Sequence, residues 1–264
     1  MSIFEAIVLG IIQGLTEFLP VSSSGHIEIG QAILNTVSLK EQEELLSVVL
    51  HAATALATIF VFRKDIVEIL RGLSNTKDKT QQKFALFIIV SMIPAAFVGI
   101  VFDDLLNQLF EGQLLLVSIM LLLTGALLMF AERFEPKQKL DLSLDKSFLI
   151  GIAQAIAILP GISRSGATIS TSLLLNVDRG TAARFSFLMV VPLILGKMAK
   201  DILDGKLQLS QELIMPFSAG FIAALVSGII ACTWMISIVK KSKLSYFAFY
   251  CWAIGLIGII YSLV

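Results

Sequence analysis

Charge is scarce in this chain: Asp, Glu, Lys and Arg make up only 15% of its 264 residues, and the 20 basic side chains are cancelled by 20 acidic ones. Without net charge there is no global field to gather nucleic acid, so any basic effect must be local and partners are to be sought in the bilayer. Cysteine is nearly missing as well. Cys232 and Cys251 both lie within apolar stretches, without zinc-like spacing or a loop position suited to a disulfide framework, which leaves packing as their role. The opening residues MSIFEAIVLG lack Lys and Arg and carry Glu5. A secretory leader begins with a basic segment and ends in a small-residue cleavage site, so this first apolar run is expected to be retained.

What the chain has in quantity is hydrocarbon: 56% of its residues are apolar and its mean hydropathy is +0.89. A helix needs roughly 20 apolar residues to cross a bilayer core, and six segments qualify, at 45–62, 84–102, 114–131, 184–200, 213–238 and 245–263. Two further apolar stretches, 2–36 and 148–176, are interrupted near their middles by Pro, Gly and Ser. Irregular backbone survives at membrane depth only when buried in protein or lining a watery cavity. The expected fold is therefore an all-α polytopic membrane protein with six transmembrane helices and two re-entrant helix-loop-helix segments, forming one membrane domain over 1–264.

Lys and Arg accumulate on the cytoplasmic side of membrane proteins. Arg63, Lys64, Arg71, Lys77, Lys79 and Lys83 place one loop inside; Arg133, Lys137, Lys139 and Lys146 place a second; Lys240, Lys241 and Lys243 place a third. The loop 101–113, with Asp103, Asp104 and Glu111 but no Lys or Arg, belongs outside, as does 37–44, where Lys40 is offset by Glu41, Glu43 and Glu44. Loop 201–212 is mixed and falls outside by parity. Both termini then face outward.

The two interrupted segments resemble each other. At an offset of 141, GIIQGLTEFLPVSSSG (10–25) aligns with GIAQAIAILPGISRSG (151–166) without a gap, matching Gly10, Ile11, Gln13, Ser22, Ser24 and Gly25. One enters from outside and the other from inside, the plan of an inverted-topology repeat with its site where the breaks meet. The first unit is read as 1–131 and the second as 148–264. A separate likeness, KFALFIIV (83–90) with RFSFLMVV (184–191), does not fit the offset and is read as two helices starting at the same interface.

Gln13 and Glu17, four apart, share a helix face. Pro20 ends that helix, and Ser22, Ser23, Ser24 and Gly25 supply hydroxyls and a cap for the next, which carries His26 in its first turn. In the second break Pro160-Gly161 is followed by Ser163, Arg164, Ser165 and Gly166, with Thr168 in the first turn of the returning helix. Each break aims backbone N–H groups at its centre, suiting an anion. Glu17, His26 and Arg164 are the ionisable residues at depth, where a charge costs at least about 2.5 kcal/mol unless paired or liganded. A guanidinium is matched to bidentate phosphate recognition. The plain alternative is that these groups pair only to hold the broken helices together. His51 is read as structural, satisfied by Thr54; Glu28 is placed near an interface; Lys240, Lys241 and Lys243 serve as a membrane anchor; Phe185, Met189 and Met198 fit ordinary helix surfaces.

QGLTEFLPVSSSGH (13–26) and PGISRSGAT (160–168), with FSFLMVVP (185–192), resemble the signatures of the undecaprenyl pyrophosphate phosphatase, or bacitracin-resistance, family. The resemblance implies a multi-pass enzyme of the bacterial cytoplasmic membrane that hydrolyses a polyprenyl pyrophosphate lipid and needs a divalent cation, Mg²⁺ or Ca²⁺. It points to surrounding membrane lipids, no nucleic acid and a homodimer as candidate assembly. Carried over by position, it implies Glu17, Ser23, His26 and Arg164 as catalytic, and Ser22, Ser24, Ser163, Arg164, Ser165 and Thr168 as binding phosphate. It makes Glu17 a metal ligand, joined by Gln13 directly or through water; Gln13 stands where an acid also occurs in the family. The nucleophile is Ser23, activated by His26, or a water. The site is expected to open to the outer face. A carrier or flippase for a polyprenyl phosphate lipid is the alternative function.

Overall fold

The computed structural model describes residues 1–34, 40–74, 79–102, 113–134, 140–203, 210–241 and 243–263; for Lys40, Glu41, Glu43, Glu44, Lys240 and Lys241 it describes the backbone alone. Asp103, Asp104, Glu111, Lys77, Lys137 and Lys139, used above to orient the chain, lie outside the described residues.

The described residues form eleven α-helices: α1 Ile3–Thr16, α2 Ser23–Leu34, α3 Lys40–Val61, α4 Arg63–Leu73, α5 Thr80–Val101, α6 Leu114–Arg133, α7 Leu144–Ile156, α8 Arg164–Leu174, α9 Arg179–Leu203, α10 Gln211–Lys241 and α11 Ser245–Leu263. Five of these are long and apolar enough to cross a membrane, and a sixth span is available if α3 and α4, bent by 74° at Phe62, are taken together. The chain is thus a multi-pass membrane protein. Its outer surface is oily where lipid would lie, as with Ile89, Ile93, Phe97 and Ile100 along α5 and Ile222, Val226 and Ile230 along α10.

One expectation is corrected by α4, since residues 63–83 were read as a loop. Arg63, Lys64 and Arg71 sit on a short helix whose Ile69 faces the core, while Asp65 pairs with Arg184 of α9 at 2.6 Å. Phe185 and Met189 are corrected too. Both are fully buried, packed with Ile150 of α7, because α9 runs through the interior.

Small residues set the closest approaches. The buried face of α1, Ala6, Leu9, Gly10, Gln13 and Gly14, lies on α10. A Cβ on Gly14 would fall 2.6 Å from the Ala224 carbonyl oxygen and 2.7 Å from the Gly228 nitrogen. In α7 the buried face is Ser147, Ile150, Gly151, Gln154 and Ala155, the same five positions shifted by 141, and it lies on α5. Helices in lipid approach this closely only where side chains are small. Against α6, α7 and α9 packs α8, buried on nearly every side, with Ser165, Thr168, Ser170 and Ser172 among its interior residues.

Candidate functional site

Each break is closed by its own serine. Ser22 sits at φ 69° and its Oγ accepts the Gly25 N–H at 3.3 Å, while Ser163 caps α8 by accepting the Gly166 N–H at 3.0 Å. Capping by Ser satisfies one of the orphan donors that a helix start exposes. Ser22 and Ser24 exchange a hydroxyl contact at 3.2 Å, and Ser163 and Ser165 repeat it at 3.2 Å. The breaks also bond to each other: Ser165 Oγ donates to the Leu19 carbonyl at 3.0 Å, and the Gly161 N–H donates to Ser24 Oγ at 3.4 Å. Gly161 takes φ 90°, and a Cβ added there would fall 2.4 Å from the Val117 carbonyl oxygen of α6, a place that excludes a side chain.

Around this junction lies one charged cluster. The Glu17 carboxylate, 8% exposed, accepts from Arg164 Nη2 on one oxygen. Its other oxygen accepts from Ser23 Oγ at 2.7 Å and from Gln13 Nε2 at 3.1 Å. Arg164 Nη1 also reaches the Ser186 carbonyl of α9 at 3.4 Å, and the rest of its five donors are unused by these contacts. The buried pair has the hydrogen-bonded form that a buried charge requires.

Eight of the expected residues therefore separate into two groups. Gln13, Glu17, Ser23 and Arg164 converge on one point. Ser22, Ser24, Ser163 and Ser165 are committed to the backbone of the two breaks. Thr168 Oγ1, fully buried, bonds the Arg164 carbonyl at 2.8 Å and Ser186 Oγ at 2.7 Å, so in this structure it braces Arg164. The expected contact between His26 and Ser23 does not form. His26 Nδ1 lies 2.7 Å from the Ser22 carbonyl and Nε2 lies 2.9 Å from the Tyr250 hydroxyl, and Ser23 is partnered by Glu17 in its place.

Three contributors were not anticipated. His51 of α3 has Nδ1 at 2.8 Å from the Ser47 carbonyl and Nε2 at 3.8 Å from Glu17. Thr54, expected to satisfy its ring, donates to backbone carbonyls instead, including that of His51 at 3.0 Å. Thr124 of α6 accepts the Ser163 N–H at 3.1 Å and donates to the Gly161 carbonyl at 3.2 Å, stitching the second break. Tyr250 stacks on His26 with ring centroids 5.5 Å apart. A polar residue within an apolar span was the only signal for His51 and Thr124.

The donor set can be tested against a divalent cation. Among the described residues no three His, Cys, Asp or Glu side chains come together as a metal site. Gln13 Oε1, however, is buried without a hydrogen-bond partner, on an amide whose Nε2 faces the Glu17 carboxylate. One carboxylate and one amide oxygen suit a hard cation that takes its other ligands from phosphate and water.

Chemically, the cluster offers a hydroxyl bonded to a carboxylate and a guanidinium with spare donors, the parts of a phosphoryl-transfer site. A family model described as bacitracin resistance protein BacA matches residues 6–257. The chain is 58% identical over 262 residues to a protein of Christiangramia forsetii named undecaprenyl-diphosphatase, covering 99% of each. It is 47% identical over 262 residues to one of that name from Parabacteroides distasonis, covering 98% of each. A third such protein, from Bacteroides fragilis, is 46% identical over 268 residues, with 99% of each covered.

Proposed function

The chain belongs to the bacitracin resistance protein BacA family, and from that membership we propose that it is an undecaprenyl-diphosphatase acting where its two breaks meet. It hydrolyses undecaprenyl diphosphate to undecaprenyl phosphate and inorganic phosphate, returning the lipid carrier to cell-wall synthesis. The observation that carries the site is the convergence of Ser23 from the first break and Arg164 from the second on the two oxygens of Glu17.

Ser23 Oγ gives its proton to Glu17 and attacks the terminal phosphorus. The bridging P–O bond breaks, leaving its electron pair on the lipid phosphate, to which Glu17 passes the proton. Glu17 then takes a proton from a water that attacks the phosphoserine, and that proton returns to Ser23 as inorganic phosphate leaves. The free donors of Arg164 hold the phosphoryl oxygens on which charge is spread, a term usually among the largest in such reactions. Mg²⁺ or Ca²⁺, held by Glu17 and Gln13 Oε1, would supply further neutralisation of the diphosphate. His26, engaged by Ser22 and Tyr250, anchors the start of α2, and His51 stands behind Glu17.

The inverted repeat is part of this reading. It is supported by the matched caps Ser22 and Ser163, by the matched buried faces of α1 and α7, and by their packing on α10 and α5, the second spans of the opposite halves. The halves are 1–131 and 148–264. The prenyl chain lies among the spans, and the site opens to the outer face of the bacterial cytoplasmic membrane. Purified protein in detergent with added Mg²⁺ is expected to release inorganic phosphate from a prenyl diphosphate. Lipid movement without phosphate release would mark a carrier instead.

A further inference from the structure

His26 is held at both ring nitrogens, and the chemistry of its two partners determines where its proton is. The Ser22 carbonyl can only accept, so Nδ1, at 2.7 Å, is the nitrogen that carries hydrogen. In the neutral ring Nε2 then has a lone pair, and the atom facing it at 2.9 Å is the Tyr250 hydroxyl. A phenol keeps its proton up to about pH 10, so Tyr250 is the donor.

The two rings are nearly parallel, at 4° and 5.5 Å between centroids, so the hydrogen bond and the stack restrain the same ring together. Tyr250 reaches His26 from α11, 224 positions away. What it restrains is the first turn of α2. The Ser22 carbonyl accepts from the His26 backbone N–H at 3.2 Å as well as from its ring. Ser23, the next residue, must keep its hydroxyl 2.7 Å from Glu17.

We infer that Tyr250 is a positioning residue: its hydroxyl fixes His26 as the Nδ1–H tautomer and thereby holds the turn of α2 that presents Ser23 to Glu17. This rests on the phosphatase reading of the site, because Ser23 must be the group whose placement limits turnover. It also assigns the Nε2 of His26 to Tyr250 and removes it from competition for the Ser23 proton.

Tyr250→Phe deletes the hydroxyl and keeps the stacking surface. A displacement of about 1 Å at a reacting group can cost on the order of 10²-fold in rate, and a loosened turn should lose part of that. Turnover is expected to fall at least about tenfold with KM changed less than about twofold, and melting in detergent to stay within a few degrees. The direct readout is the ¹⁵N spectrum of the imidazoles. With only two histidines in the chain, His51→Gln assigns them.

Wild-type His26 should show a protonated Nδ1 and a hydrogen-bonded bare Nε2, and Tyr250→Phe should shift the Nε2 resonance toward that of an unbonded lone pair. A wild-type proton on Nε2 with Nδ1 bare overturns the inference, and so does a Phe variant with undiminished turnover. Failure of the phosphatase reading would instead appear as no phosphate release from the wild type, with the tautomer unaffected.

Discussion

Replacing Glu17 by Gln keeps the side-chain shape and removes a charge that three donors share. Arg164 Nη2 binds one carboxylate oxygen, and Ser23 Oγ and Gln13 Nε2 bind the other. An amide has one oxygen and one NH₂ group, so in either orientation the NH₂ faces a donor. If its oxygen stays with Arg164, Ser23 loses the group that accepts its proton; if it turns to Ser23, the guanidinium faces an N–H. General-base catalysis contributes typically 10²–10⁴-fold, and loss of turnover in that range is expected.

Stability should fall as well. Removing one member of a buried ion pair costs about 3–5 kcal/mol because the other charge is left uncompensated, and Arg164 has a side chain only 16% exposed. The two losses separate in the double variant Glu17→Gln, Arg164→Gln, which has no orphaned charge. Its melting temperature should recover most of the loss while its phosphate release does not. Activity is assayed as phosphate released per folded molecule in detergent, with folding followed by thermal melting. A single variant retaining more than a tenth of wild-type turnover would refute the assignment of Glu17 as base. Recovery of activity together with stability in the double variant would show that the carboxylate serves only to neutralise Arg164.

Ser23→Ala should abolish turnover, and acid-quenched wild-type reactions with labelled diphosphate should leave phosphate on Ser23; an alanine variant with measurable rate and no label in the wild type would assign the attack to water. Gly14→Ala, whose added methyl would press on the backbone of α10 at Ala224 and Gly228, should destabilise the protein by about 1–3 kcal/mol, read as a lowered melting temperature. For topology, a cysteine at exposed Gln113 should react with an impermeant thiol reagent in intact cells and one at exposed Ser74 only after lysis, since Cys232 and Cys251 are buried. The reverse pattern would invert the orientation.

The spans were legible because a bilayer imposes a length: 114–131 and 245–263 lie inside α6 and α11 to within two residues. The breaks and their capping serines were legible because proline and serine act locally. What could not be read was which atom of a side chain would meet which distant partner. His26 and Tyr250 are 224 positions apart, and no local pattern says that Nε2 will find a phenol. The bend at Phe62 leaves no Pro or Gly signature, so α4 passed for a loop. The hydroxyls of Ser24, Ser165 and Thr168 look alike in a string, and only their neighbours distinguish a brace from a ligand.

That distinction bears on why so many hydroxyls surround so few charges. Two helix breaks buried inside the protein leave backbone groups that water cannot reach, each costing several kcal/mol if unpaired. Ser22, Ser24, Ser163, Ser165 and Thr124 each bond such a backbone group in one break or the other. With those needs met, the charged pair need not hold the loops together by itself. The polar scaffold therefore leaves one serine bonded to a carboxylate and one arginine with spare donors, as the proposed reactive centre requires. Residue 23 and its counterpart 164, related by the same offset of 141, are Ser on one side and Arg on the other. The flanking serines are identical because both breaks need the same repair; on the proposed reading, this central position differs because a nucleophile and an anion clamp require different chemistry.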